Sequence, residues 1–361
     1  MGAPESPTLI SAAPTVRIAE QSLPLLTNAI HSMRVVEQLG GLSSLELSLY
    51  DNLSFADGTS GWGATATSPL QLGASIKIYC GITNAPQEVF DGVITALEGD
   101  YTGSRPPLFT ILAEDRLWKA RRKRRSRVFD NQSPADLVRA IASDHGLTPQ
   151  VRDGLDAPQS AWAQMNESDL AFLRRILARF DCDLQAVDDK LQAGKRTGQA
   201  RSSVTLRASQ QLVRARITAD LADQVTSVRV AGYDSAAGDA VLSTATAGDM
   251  GPGAGADGPA TLRAKFGEVV ETHGDADALT SAEGDAAARA LYGQRARRFV
   301  RIDGSAQGDP QIRVGSTLTI KDVNPFFEND YAVTRAVHRF DPASGYLTDF
   351  LAECAYLGAG A

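Results

Sequence analysis

Apolar and polar residues alternate with a period of two near both ends of the chain, and with a period near 3.6 only towards the middle. Val16 and Ile18, then Leu45, Leu47 and Leu49, then Ile76 and Ile78, each sit in a short run bounded by Gly, Pro, Asn or Asp. That pattern predicts half-buried strands. A helix is expected to start at Ser133, with Pro134 at the first helical position and Asp136 as the acid of a capping box. Its apolar face holds Leu137 and Ile141, and His145-Gly146 stops it. A second helix is expected after Asn166, read as its cap, with Leu170, Leu173, Leu177 and Phe180 as one apolar stripe. Leu184 to Val187, the pair Asp188-Asp189 and Leu191 predict a hairpin, and an Ala-rich helix is expected from about Ser281 to Arg298. The Gly-rich stretch from Gly248 to Pro259 reads as a loop or linker.

The strands at the two ends resemble each other. Leu72-Gly73-Ala74-Ser75-Ile76-Lys77-Ile78 aligns with Val314-Gly315-Ser316-Thr317-Leu318-Thr319-Ile320, at an offset of 315 minus 73, or 242. Asp91, Thr95 and Leu112-Ala113-Glu114 align with Asp330, Thr334 and Leu351-Ala352-Glu353, at 353 minus 114, or 239. Each copy reads as a three-stranded antiparallel meander, the kind of piece that builds small barrels. Two copies so far apart imply two related β-barrels with α/β material between their parts.

With 361 residues, 43% hydrophobic and 22% charged, the chain has room for two or three domains with buried cores. The first thirty residues lack a basic stretch followed by an apolar run, so no secretory signal is read, and no window suits a membrane-spanning helix. Folding in the cytoplasm is expected. Cys80, Cys182 and Cys354 are widely spaced, which suits small core residues rather than disulfides or a zinc site.

A net charge of −7 argues against general nucleic-acid binding, but the charge is uneven. Arg116, Lys119, Arg121, Arg122, Lys123, Arg124, Arg125 and Arg127 put eight cations into twelve positions, leaving about −15 (−7 minus 8) on the rest. On a strand leading out of a barrel, that run suits contact with an acidic subunit or a neighbouring protomer, ahead of a solvated face or nucleic acid. Catalytic constellations are poorly supported. His31, His145, His273 and His338 have no metal-site spacing, and His338 is expected at a surface or interface. The Gly-rich stretch lacks a Lys-Ser or Lys-Thr ending, and no G-x-S-x-G occurs. The neighbours Glu114-Asp115 and Asp188-Asp189 point to opposite faces or sit in a turn, which does not suit a glycosidase pair.

Four segments resemble the phage late control D family, which includes the T-even phage baseplate hub and the N-terminal hub part of the type VI secretion protein VgrG. They are Phe90 to Thr95; Leu117 through Ser126-Arg127-Val128-Phe129 to Ser133-Pro134-Ala135-Asp136-Leu137; Asn166 to Ala178; and Gly308-Asp309-Pro310 with Val314-Gly315-Ser316 and Gly345-Tyr346-Leu347-Thr348. The resemblance spans about residues 8 to 357. It implies an α+β, β-rich fold with two related antiparallel β-barrel hub domains, the first at 8–128 and the second formed by 204–240 with 300–357. An α/β insertion would occupy 129–203, and a flexible loop with a helical insertion 241–299. The implied function is a non-enzymatic, cofactor-free homotrimeric hub joining a sixfold inner tube to a threefold spike, in contact with other baseplate subunits. Because the sequence ends in Gly-Ala-Gly-Ala after Leu357, the spike is expected on a separate protein. A cell-wall hydrolase or delivered effector of such a particle is the alternative.

Overall fold

The computed structural model describes residues 13–54, 60–62, 69–82, 85–152, 154–156, 160–198, 201–274 and 280–358. A 13-stranded sheet runs through the molecule. From one edge its order is Leu212–Ala219, Val300–Gln307, Gly345–Cys354, Asp330–Asp341, Ile30–Gln38, Ser44–Tyr50, Leu108–Asp115, Ala85–Asp100, Ser75–Ile82, Thr15–Ile18 and Gln21–Ser22. Ser203–Arg207 joins it beside Thr317–Lys321, which pairs with Asp330–Asp341.

This sheet is one arrangement built twice. Thr15–Ile18, Ile30–Gln38, Ser44–Tyr50, Ser75–Ile82, Ala85–Asp100 and Leu108–Asp115 form the first unit. Ser203–Arg207, Leu212–Ala219, Val300–Gln307, Thr317–Lys321, Asp330–Asp341 and Gly345–Cys354 form the second, in the same chain order and with the same neighbours. The likeness reaches the irregularities. The second strand of each unit bulges, between Ile30 and Ser32 and between Leu212 and Arg214. The fifth does too, between Ile94 and Ala96 and between Val333 and Arg335. At that bulge the Thr95 hydroxyl donates to the Leu112 carbonyl at 3.3 Å, and the Thr334 hydroxyl to Leu351 at 3.2 Å. Gly73 N–H donates to Ile94 and Gly315 N–H to Val333, at 2.9 and 3.2 Å. Among the described residues the first strands differ: that of the first unit is antiparallel to its neighbour and also pairs with Gln21–Ser22, while that of the second is parallel and has no such extra partner.

Among the described residues no sheet closes on itself, so the two expected barrels are not seen as closed barrels. The physical reason lies in Asp330–Asp341. Its start pairs with Thr317–Lys321 of its own unit, but from Arg335 to Phe340 it pairs with Ile30–Gln38 of the other. The units thus merge into one sheet. Each nevertheless has its own core, around Val16, Met33, Leu47, Ile76 and Ile78 in the first and Leu206, Ile302, Leu318, Ile320 and Tyr331 in the second. These are the inward positions of period-2 strands.

Between the units, Pro134–Asp144 and Asp169–Arg179 pack with a small sheet of Thr148–Val151, Lys190–Lys195 and Cys182–Val187. The hairpin turns at Asp188-Asp189 as expected. Ser133 caps the first helix with a full capping box through Asp136. The second is capped by Ser168, whose hydroxyl accepts from Ala171 N–H, and not by Asn166, which sits at φ +50°. Ser281–Arg297 starts at a Thr280–Glu283 capping box and covers Ser227–Asp234 and Asp239–Ala245.

The Gly-rich stretch is irregular only up to Gly255. Ala256–Asp257 pairs with Tyr356–Leu357, and Asp257 caps a helix, Gly258–Phe266, with Pro259 in its first turn. Only glycine fits at Gly255, where φ is +122° and an added Cβ would meet the Leu357 carbonyl oxygen at 1.9 Å. All three cysteines are buried, and burial pushes their thiols up to about 12. No described helix is long and apolar enough to cross a membrane.

Candidate assembly interface

The basic run is divided by secondary structure. Leu117 and Ala120 are buried, and Trp118–Arg122 forms a short helix rather than the expected strand. Arg124–Gln132 is a strand paired with Ser160–Ser168. Its alternation sorts the cations: Arg125 and Arg127 lie on the inner side with buried Phe129, while Arg124, Ser126 and Val128 are exposed.

The inward pair belongs to the insertion's own framework. Arg125 and Arg127 reach Asp144 at 2.9 and 2.8 Å, and Arg127 reaches Asp169 at 3.0 Å. Asp169 is 1% exposed and is also hydrogen-bonded by Gln164 and His145, each at 2.9 Å. A buried carboxylate is tolerated only with such partners. Two further cations tie the run to the first unit: Arg116 pairs with Asp91 at 3.0 Å and Arg121 with Glu114 at 2.6 Å. Lys119, Arg122, Lys123 and Arg124 remain exposed, with no ion-paired carboxylate among the described residues. Arg122 lies over the Trp118 ring at 5.2 Å, and Arg124 donates to the Asn166 carbonyl at 3.1 Å.

A second charged cluster fills the seam between the units. Glu37, 1% exposed, pairs with Arg313 and, at 3.3 Å, with Arg201, and accepts from Val314 N–H at 3.2 Å. Burial raises its carboxyl, but the two guanidinium groups outweigh that and hold it well below the usual carboxylate range. His338 lies opposite Val35 in the same seam. It is fully buried within the chain, not at the surface or interface expected for it, with Nδ1 2.8 Å from the Tyr346 hydroxyl. Burial, reinforced by Arg313, pushes its imidazole down to about 3, so it is neutral. A third cluster links Arg297, 1% exposed, to Asp181 at 2.6 Å and Glu353 at 3.3 Å, with Arg196 at 2.8 Å from Glu353. Sequence reasoning missed both clusters. One signal was present: Glu37 occupies an inward position of the strand that carries Met33 and Val35.

Asp115 and Glu114 point apart, as adjacent strand residues should. Glu114 pairs with Arg121, while Asp115 accepts from Ser43 and Leu117 N–H at 2.6 and 2.9 Å. Among the described residues no group of three or more His, Cys, Asp or Glu is placed to hold a metal.

What the geometry shows is a duplicated scaffold whose charged groups join its own parts. The sequence profile of the phage tail baseplate hub (GPD) family matches residues 36–343. The chain belongs to that family. This hub protein is therefore a structural component of a phage-type tail, not an enzyme. Its fold is similar to that of the 43 kDa tail protein of prophage MuSo2 from Shewanella oneidensis, at 11% identity and a TM-score of 0.69, covering 94% of this chain and 97% of that one. It is also similar to a tail protein from Neisseria meningitidis MC58, at 10% identity and a TM-score of 0.65, with 94% and 96% covered. A component of the type VI secretion system of E. coli, itself described as similar to the T4 tail proteins gp27 and gp5, aligns at 13% identity and a TM-score of 0.59, covering 96% of this chain and 79% of that one. No curated protein matches the hub sequence.

Proposed function

We propose that the hub protein is a homotrimeric adaptor, placed between a sixfold inner tube and a threefold spike. The observation that carries this reading is the unit built twice: three chains supply six like units, so one face can present near-sixfold symmetry while the assembly keeps a threefold axis. In that ring the six units close together the barrel walls that a single chain leaves open. Obligate assemblies of this kind bury about 2,000 Å² or more per interface. The exposed cations Lys119, Arg122, Lys123 and Arg124 face an acidic neighbouring baseplate subunit. Assembly takes place in the cytoplasm, and the finished ring belongs to the baseplate of the particle.

The test is the mass of the purified protein in solution, paired with low-resolution imaging. Three times the 38.3 kDa chain and a ring with six similar lobes on one face are expected. A single-chain mass at every concentration overturns the proposal.

A further inference from the structure

The strand that sorts the basic run also carries one side of an apolar face. Arg124–Gln132 and Ser160–Ser168 form a two-stranded ribbon whose inner side buries Phe129 opposite Trp162. Its outer side holds Arg124, Ser126 and Val128 on one strand and Ala163 and Met165 on the other, all of them exposed. Val128 stands opposite Ala163, and Met165, two residues further along, falls on the same face as Ala163. Val128 is 69% and Met165 77% exposed. Helix Trp118–Arg122 packs against Ser160–Ser168 and brings Lys119 and Arg122 to the end of the ribbon where Lys123 and Arg124 begin it. An isolated exposed apolar side chain is ordinary, but an apolar group containing methionine, rimmed by arginines, has the composition of a protein contact.

Resting on the reading that the exposed cations face an acidic baseplate subunit, we propose that this subunit docks on the outer face of the ribbon. It does so through one acidic segment, with apolar side chains on Val128, Ala163 and Met165 and carboxylates on Arg122, Lys123 and Arg124. Charge complementarity selects that occupant, because these cations have no ion-paired carboxylate among the described residues. Four residues of strand separate Arg124 from Val128, about 13 Å, so a single short segment spans both parts. Asp130, exposed beyond Val128, gives the face a direction: carboxylates are drawn to the Arg124 end and repelled at the other. The segment lies on the face and does not add to the edge as a strand, because Arg175 already donates to the Ala163 carbonyl at 2.8 Å. The exposed outer residues include no aromatic ring for a base to stack on, which sets this face apart from a platform for single-stranded nucleic acid.

The experiment uses assembled particles whose hub carries Met165→p-benzoylphenylalanine, a photo-cross-linking residue, with the product mapped by mass spectrometry after irradiation. A cross-link to a different particle protein is expected, within a peptide of net negative charge that also holds apolar residues. A cross-link to a second hub copy, to a peptide without carboxylates, or to nothing overturns the proposal. The second arm measures binding of a synthetic peptide of the cross-linked sequence to the purified full-length hub. V128S with M165S should weaken it by about tenfold or more at low and at high salt, as expected for two apolar side chains that lose their burial. R122E with R124E should weaken it strongly at low salt and much less at high salt. All four positions are exposed, and an unchanged unfolding midpoint confirms that each variant is folded. Loss of binding from the charge pair alone overturns the apolar face and leaves the acidic neighbour standing. No effect from either pair overturns both.

Discussion

Glu37 and Arg313 form an ion pair across the seam between the two units, though 276 residues separate them in the chain. The same carboxylate holds Arg201, at the entry to the second unit, so one buried acid fixes two segments of that unit to a strand of the first. Replacing it with Glu37→Gln leaves two guanidinium groups without their counter-charge. The loss expected from breaking such a buried network is about 3–5 kcal/mol, read as a lower urea midpoint. The folded pKa of Glu37 is depressed, so its stabilisation is present above the unfolded carboxylate value and is lost as pH falls towards the folded one. The gap between the parent and the variant should therefore shrink in acid.

Asp115 has the opposite sign. Burial, only partly offset by the Ser43 and Leu117 N–H groups, raises its carboxyl to about 6. Between the unfolded value near 4 and this folded value, the folded chain keeps a proton that the unfolded chain has lost, so stability falls as pH rises through that window. A shift of about two units corresponds to about 3 kcal/mol. Asp115→Asn cannot ionise, so unfolding of the two proteins measured at pH 4 and pH 7 should show the parent losing roughly that much relative to the variant.

The start of the second insertion helix gives a smaller and sharper test. Ser168 accepts the Ala171 N–H at 3.2 Å, whereas Asn166 is exposed and sits at a positive φ. Ser168→Ala should lower stability by about 1 kcal/mol, and Asn166→Gly should stay within about 0.5 kcal/mol because glycine accepts that backbone freely. Equal losses from both would place the cap at the wrong residue.

The duplication was legible because its evidence is local. Gly73 and Gly315 start matching strands, and Thr95 and Thr334 mark the same bulge, so short runs of sequence carried the alignment to the right residues. The continuity of the sheet was not legible. Whether Asp330–Asp341 turns back to its own unit or gives its edge to Ile30–Gln38 depends on a pairing between distant segments, and nothing in either strand's periodicity encodes it. His338 was legible in part, because after the bulge it shares the inward, period-two face of its strand with buried Ala336 and Phe340. The helix at Gly258–Phe266 was hidden by the glycines before it, although Asp257 and Pro259 were its cap and first-turn signals.

The basic run shows the same division, and it can be tested residue by residue. Its length and density read as one patch, but strand alternation turns Arg125 and Arg127 inward to Asp144 and Asp169 while leaving Arg122 and Arg124 on the outside. Arg127→Glu would place a carboxylate beside the buried Asp169, and a loss of about 3 kcal/mol or more is expected in thermal or urea unfolding. Arg122→Glu with Arg124→Glu alters only exposed positions, so the unfolding midpoint should move by no more than about 0.5 kcal/mol. If these cations meet an acidic baseplate subunit, the double variant should still assemble less well into particles counted by electron microscopy, and added salt should weaken assembly of the parent protein more than that of the variant. Normal particle numbers from a correctly folded double variant would remove the run from the assembly interface and leave it with the internal work that Arg116, Arg121, Arg125 and Arg127 perform.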